Sequence, residues 1–116
     1  MPPNATQNGK YRISTSKGIW FVEIANILYC HGENNYAVLT IAGEETKTML
    51  SKTLKTVDAE LTPHGFFRVH KAYLINLAHV KEYLHKDGGM ALLNSGDKIP
   101  FSRSGRRKFL KVWKGR

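Results

Sequence analysis

Phe66-Phe67-Arg68-Val69-His70-Lys71-Ala72-Tyr73-Leu74-Ile75-Asn76-Leu77 is the stretch on which the fold of this chain turns. Apolar residues are interleaved with Arg68, His70, Lys71 and Asn76, which combines a core-facing pattern with donors suited to phosphates and base edges. A strand is expected over Phe67 to His70, a helical turn over Ala72 to Asn76, and another strand over Val80 to His85. Phe67, Val69, Leu74 and Leu77 are expected in the core. Downstream, Lys98-Ile99-Pro100-Phe101-Ser102-Arg103-Ser104-Gly105-Arg106-Arg107-Lys108 begins as a strand and breaks into a basic cluster.

Working outward, Ser51 is a suitable N-cap for a helix from Lys52 to Leu61 whose apolar stripe is Leu54, Val57 and Leu61. Thr62-Pro63-His64-Gly65 ends it. Upstream lie short strands separated by turn signals. Tyr11 to Thr15 and Ile19 to Glu23 flank Lys17-Gly18, and Ile27 to His31 and Tyr36 to Ala42 flank the loop Gly32-Glu33-Asn34-Asn35. Glu45 to Met49 follows Gly43. Downstream, Asp87-Gly88-Gly89 reads as a hairpin before Met90 to Leu93, and Asn94-Ser95-Gly96-Asp97 as a turn before Lys98 to Phe101. A last helix, Arg103 to Lys114, places Phe109, Val112 and Trp113 on one face. Gly105 in its first turn is expected to weaken it relative to alanine. The predicted fold is mainly β, with small packed antiparallel sheets and one or two short helices. Residues 1–10, polar and turn-rich, are expected to be a flexible arm or linker remnant before a domain over 11–116.

A chain of 116 residues with 41% hydrophobic content fits one domain with one modest core. Its 18 Lys and Arg against 9 Asp and Glu give a formal charge of +9. After Asp97 no acidic residue occurs, while Arg103, Arg106, Arg107, Lys108, Lys111, Lys114 and Arg116 follow. Charge this lopsided favours encounter with a polyanion; the alternative is a basic tail that serves solubility alone. Cys30 is the only cysteine, so no intramolecular disulfide is possible, and a small strand hydrophobe is expected there. No apolar run has the length of a membrane span and no signal-peptide region is present, so a cytoplasmic protein without membrane attachment is expected.

Enzymatic signatures are missing. The chain has no paired Cys motif, His-Glu-x-x-His, phosphate-cradling glycine loop or Gly-x-Ser-x-Gly elbow, so no catalysis, cofactor or small-molecule substrate is expected. Its five histidines are scattered without short ligand spacing, against a metal site. Nucleic-acid binding needs groups that grip the backbone and a few that reach base edges. Lys71, Arg103, Arg106 and Arg107 are able to neutralise phosphates, and Asn34, Asn35 and Arg103 to read bases by paired hydrogen bonds. Asn34 and Asn35 equally serve as turn formers. His70 is expected as a hydrogen-bonded structural side chain, Asn76 as a brace for backbone groups, and Phe66, Phe67, Tyr73, Trp20 and Trp113 as packing residues rather than base-stacking platforms.

The stretch from Phe66 to Leu77 resembles the Phe-x-Arg-x-His-Arg-Ser-x-Leu-Val-Asn-Leu signature of the LytTR DNA-binding domain. Val22-Glu23-Ile24, Ile27-Leu28-Tyr29, the Asn-containing loop before Tyr36, Leu54 and Lys98-Ile99-Pro100-Phe101-Ser102-Arg103 follow in the family's order, so the likeness spans about residues 11–113. The resemblance implies a LytTR-like β-sandwich that inserts loops into successive major grooves at tandem imperfect promoter repeats. It also implies a bacterial two-component response regulator, with a homodimer on DNA as a further possibility. Carried over by position, the DNA-facing residues are Asn34, Asn35, Lys71, Ser102, Arg103 and Ser104. Lys71-Ala72 stands where the family usually has Arg-Ser, and Ser104 where a second Arg is common, so either base preference is altered or Arg106 takes that role. The composition also permits an RNA-binding or ribosome-associated basic β-domain, or a module pairing through exposed strand edges.

Overall fold

The computed structural model describes residues 5–113; residues 1–4 of the expected arm and Lys114 and Arg116 of the basic tail lie outside them. In chain order the elements are β1 (Thr6–Gln7), β2 (Lys10–Thr15), β3 (Gly18–Glu23), β4 (Ile27–Glu33), β5 (Tyr36–Ile41), β6 (Thr48–Leu50), α1 (Leu54–Leu61), β7 (Phe66–His70), β8 (Tyr73–Asn76), β9 (Val80–Leu84), β10 (Met90–Leu93), β11 (Lys98–Pro100) and α2 (Arg103–Trp113). They make three sheets, ordered β1-β2-β3, β6-β5-β4-β8-β7 and β11-β10-β9. All pairings are antiparallel.

The central five-stranded sheet is buried on both faces because side chains alternate along a strand. The register Cys30↔Leu74 and Tyr29↔Ile75 sets like faces together. Cys30 and Leu74 enter a cluster with Tyr11, Ile13 and Val22 of the N-terminal sheet and Leu54, Val57 and Leu61 of α1. Tyr29 and Ile75 enter a second cluster with Ala91, Leu93 and Ile99 of the C-terminal sheet, Phe101, and Phe109 of α2. The domain therefore has two cores, where composition suggested one. Cys30 is fully buried, and that burial pushes its thiol up to about 12, so it packs as a small hydrophobe.

Several expectations shift. The helical turn expected over Ala72 to Asn76 is instead strand β8, because Leu74 and Ile75 must reach opposite faces while hydrogen-bonding to both β4 and β7. β7 starts at Phe66, which is 2% exposed, whereas Phe67 and Leu77 are only partly buried against the second cluster. Val69 and Leu74 are fully buried. Helix α1 starts after Thr53, not Ser51: Thr53 is extended and its hydroxyl accepts from the Thr56 amide at 3.2 Å. The loop Gly32 to Asn35 tightens to the turn Asn34-Asn35, because β4 runs on to Glu33, which pairs with Tyr36. The strand expected over Glu45 to Met49 is confined to β6. Within the expected arm, Asn8 and Gly9 both take positive φ, a hairpin turn that lets β1 pair with β2.

Helix α2 seats through Gly105 and Phe109, its buried residues, while Val112 one turn later is exposed and the Trp113 side chain lies outside the description. A Cβ on Gly105 would fall 2.0 Å from the Val69 carbonyl oxygen. Glycine here allows helix and strand to touch, which reverses its expected role as a weakness.

Candidate nucleic-acid interface

Three separate segments meet at one end of the central sheet. His31 of β4 pairs with Tyr73 of β8, and the Gly32 amide donates to the Ala72 carbonyl at 2.8 Å. The Asn34-Asn35 turn, which follows β4, and the Lys71-Ala72 turn, which precedes β8, therefore project from the same end. The third segment is the start of α2. The Ser102 amide donates to the Val69 carbonyl at 2.9 Å, at the irregularity between Arg68 and His70 that ends β7.

The Lys71-Ala72 turn is braced from beneath. Arg68 donates through Nε to the His70 carbonyl at 3.0 Å and through a terminal nitrogen to the Lys71 carbonyl, and it pairs with Asp58 of α1 at 3.3 Å. His70 accepts the Ala72 amide on Nδ1 at 3.0 Å. The motif Arg and His are thus committed to shaping the turn, and Lys71 is left exposed at its tip. Arg68, counted among donors suited to phosphates, is spent internally. Asn76, 4% exposed, donates to the Ile27 carbonyl at 2.9 Å and accepts the Ala78 amide at 3.0 Å, the bracing expected of it. Under both turns, His31 stacks on Tyr73 at 4.7 Å and His70 meets Tyr73 edge-on at 5.7 Å. Nothing in the sequence signalled that aromatic row, because its members lie on three strands.

The Asn34-Asn35 turn is held differently: the strand ladder ends at Glu33 and Tyr36, and the Tyr36 hydroxyl donates to the Glu33 carboxylate at 2.7 Å across the base of the turn. Both asparagines are exposed, and Asn34 has φ 52°. Asn34 thus serves the turn, and its side chain remains free to face a ligand.

Ser102 caps α2: its hydroxyl accepts the Gly105 amide at 2.9 Å and donates to the Val69 carbonyl at 3.3 Å. Ser104 and Lys108 follow on the flank that faces Arg68, His70 and Lys71, and together with Asp58, Ser102 and Gly105 these line a groove of about 510 Å³. Arg103 and Arg106 fall on the other flank. With Arg107, Lys111, Leu110, Tyr83 and His85 they line a groove of about 810 Å³. Helical spacing explains the division, since Gly105 and Phe109 occupy the buried stripe between Lys108 and Arg106. Among the described residues the ion pairs are Lys52 with Glu60 and Arg68 with Asp58, so Lys71 and the cations of α2 are left without acidic partners. The arrangement offers exposed amide and cationic donors on a rigid base, suited to an anionic ligand with readable edges. No three His, Cys, Asp or Glu groups converge as a metal site among the described residues, and no helix there is long and apolar enough to cross a membrane.

Comparison with known proteins gives a consistent picture. The profile of the LytTr DNA-binding domain matches residues 17–114. The CO-responsive transcriptional regulator RcoM of Rhodospirillum rubrum is 29% identical over 87 residues, 72% of this chain and 36% of that protein. The sensory transduction protein LytT of Bacillus subtilis is 24% identical over 106 residues, 89% of this chain and 43% of that protein. The chain therefore spans well under half the length of these relatives. The LytTr DNA-binding domain of a putative methyl-accepting/DNA response regulator from Bacillus cereus superposes with a TM-score of 0.77 at 18% identity, covering 93% of this chain and 99% of that one. With the family profile covering nearly the whole chain and the three-sheet fold matched to that domain, this protein belongs to the LytTR family of DNA-binding domains.

Proposed function

We propose that this domain binds double-stranded promoter DNA with sequence preference and regulates transcription as the output module of a bacterial two-component system in the cytoplasm. The supporting observation is the convergence of the Asn34-Asn35 turn, the Lys71-Ala72 turn and the capped start of α2 at one end of one sheet. Asn34, Asn35 and Lys71 supply donors from the turns, Arg103, Ser104 and Arg106 supply them from α2, and Ser102 sets the angle at which α2 begins. Turns on a rigid scaffold suit insertion into the major groove, where each base pair presents a distinct donor and acceptor pattern. Tandem imperfect repeats are the expected target, read by two copies that form a homodimer on DNA.

Selection from a random duplex pool, followed by competition with scrambled duplex and single-stranded RNA, tests the proposal. A recovered duplex motif held against both competitors supports it; preferential displacement by RNA overturns it in favour of an RNA-binding domain. With four to six phosphates contacted, log K for the selected duplex should fall by about 4 to 5 units per decade of salt. A slope near zero would remove the electrostatic part of the proposal.

A further inference from the structure

The cations of α2 do not form one surface. Ser104 and Lys108 border the groove that contains Lys71, whereas Arg103, Arg106, Arg107 and Lys111 border a separate groove walled by Tyr83 of β9 and by His85, which follows that strand. The body of the helix lies between them, and its diameter with side chains is about 10–12 Å. Along a duplex rising about 3.4 Å per base pair, that distance is roughly three steps. Groups at the far side of the second groove are therefore displaced from the bases beneath the turns. Its composition also differs: four cations and a histidine surround Tyr83 and Leu110, and no carboxylate lines it. Tyr83 is held there by stacking on Phe109 at 6.0 Å and by edge contacts with His85 at 5.2 Å and Phe101 at 5.5 Å. Unpaired cations crowded on one helix repel each other unless a polyanion lies across them.

We infer that this second groove is a clamp for the phosphate backbone of DNA outside the recognised sequence, with Arg107, Lys111 and His85 gripping flanking phosphates while Arg103 and Arg106 mark its boundary with the reading surface. The inference rests on the proposed DNA binding and adds a division of labour: turns and helix start choose the site, and the far flank of α2 sets how much neighbouring duplex is held. The clamp recognises charge and spacing, so the sequence of the flank is immaterial to it.

The test compares the selected duplex alone with the same duplex extended at both ends by about 10 base pairs, one helical turn, of random sequence. For the unaltered chain the salt slope should be steeper on the extended duplex by about 2 to 3 units, one for each added phosphate contact. The double variant Arg107→Ala, Lys111→Ala, altered at two exposed positions, should cut that difference to below about 1 unit. Lys17→Ala, which removes an exposed cation of the β2–β3 turn in the N-terminal sheet and absent from the groove's lining, should retain the full difference. Equal slopes on both duplexes for the unaltered chain, or an undiminished difference in the double variant, overturn the clamp and leave site recognition intact. Failure of the unaltered chain to bind either duplex overturns the DNA reading and the clamp together.

Discussion

The two turns at the end of the central sheet are built on opposite principles. Lys71-Ala72 is held by Arg68 and His70 through hydrogen bonds to its own backbone, with Asp58 anchoring the Arg68 guanidinium, so the position of Lys71 is fixed before any ligand arrives. Asn34-Asn35 is held by strand pairing, by the Tyr36 hydroxyl bonded to the Glu33 carboxylate across its base, and by the left-handed conformation of Asn34. Pre-organisation lowers the ordering cost of binding, whereas a less braced turn is able to adjust to the groove it meets. Charged residues of the signature are thus able to act by shaping a turn rather than by display at its tip. In this chain Arg68 and His70 aim Lys71.

The largest expected effect lies beneath the braced turn. Phe66→Ala should cost about 3 to 5 kcal/mol, since Phe66 is a buried member of the first core, and Phe67→Ala clearly less, because Phe67 is only partly buried. Equal losses in thermal or urea unfolding would overturn the assigned faces of β7. Next, Arg68→Ala should destabilise the domain by about 2 to 3 kcal/mol and speed hydrogen exchange at the Ala72 amide, because charge-assisted bonds to two turn carbonyls are lost. Arg68→Lys should restore little, since a lysine has no planar fork with which to hold two carbonyls. Unchanged exchange at Ala72 would mean that the turn holds itself. A smaller effect is expected at the other turn: Asn34→Ala should cost about 1 kcal/mol and Asn34→Gly only a few tenths, because only alanine resists the left-handed φ. Matching stabilities for the two variants would show that the Asn34-Asn35 turn relaxes to another geometry.

Much of this was legible in the sequence, for reasons that can be named. Alternating apolar residues and Gly or Asn turn signals marked most strands, and Met90 to Leu93 is found with the expected bounds. The Phe66 to Leu77 pattern carried the family. What stayed hidden depends on contacts distant in sequence. β8 reads as a helical turn until β4 and β7 are placed on either side of it, and Gly105 reads as a weak helix residue until the Val69 carbonyl stands against it. The candidate site residues were legible as a set of residue types, but their division between two flanks of α2 follows from which face Phe109 buries. That Arg68 braces the Lys71-Ala72 turn required the position of the Lys71 carbonyl.

Joint reading of base edges by the turns and by the start of α2 is tested at Arg103, the first residue of that helix. Affinities of the unaltered chain and of Arg103→Ala should be measured for the selected duplex and for a scrambled one at a single fixed salt concentration. Arg103→Ala should weaken the selected duplex by about 1 to 3 kcal/mol more than the scrambled one, the value of a bidentate contact to guanine. Equal weakening of both duplexes would contradict it and reduce Arg103 to a backbone anchor.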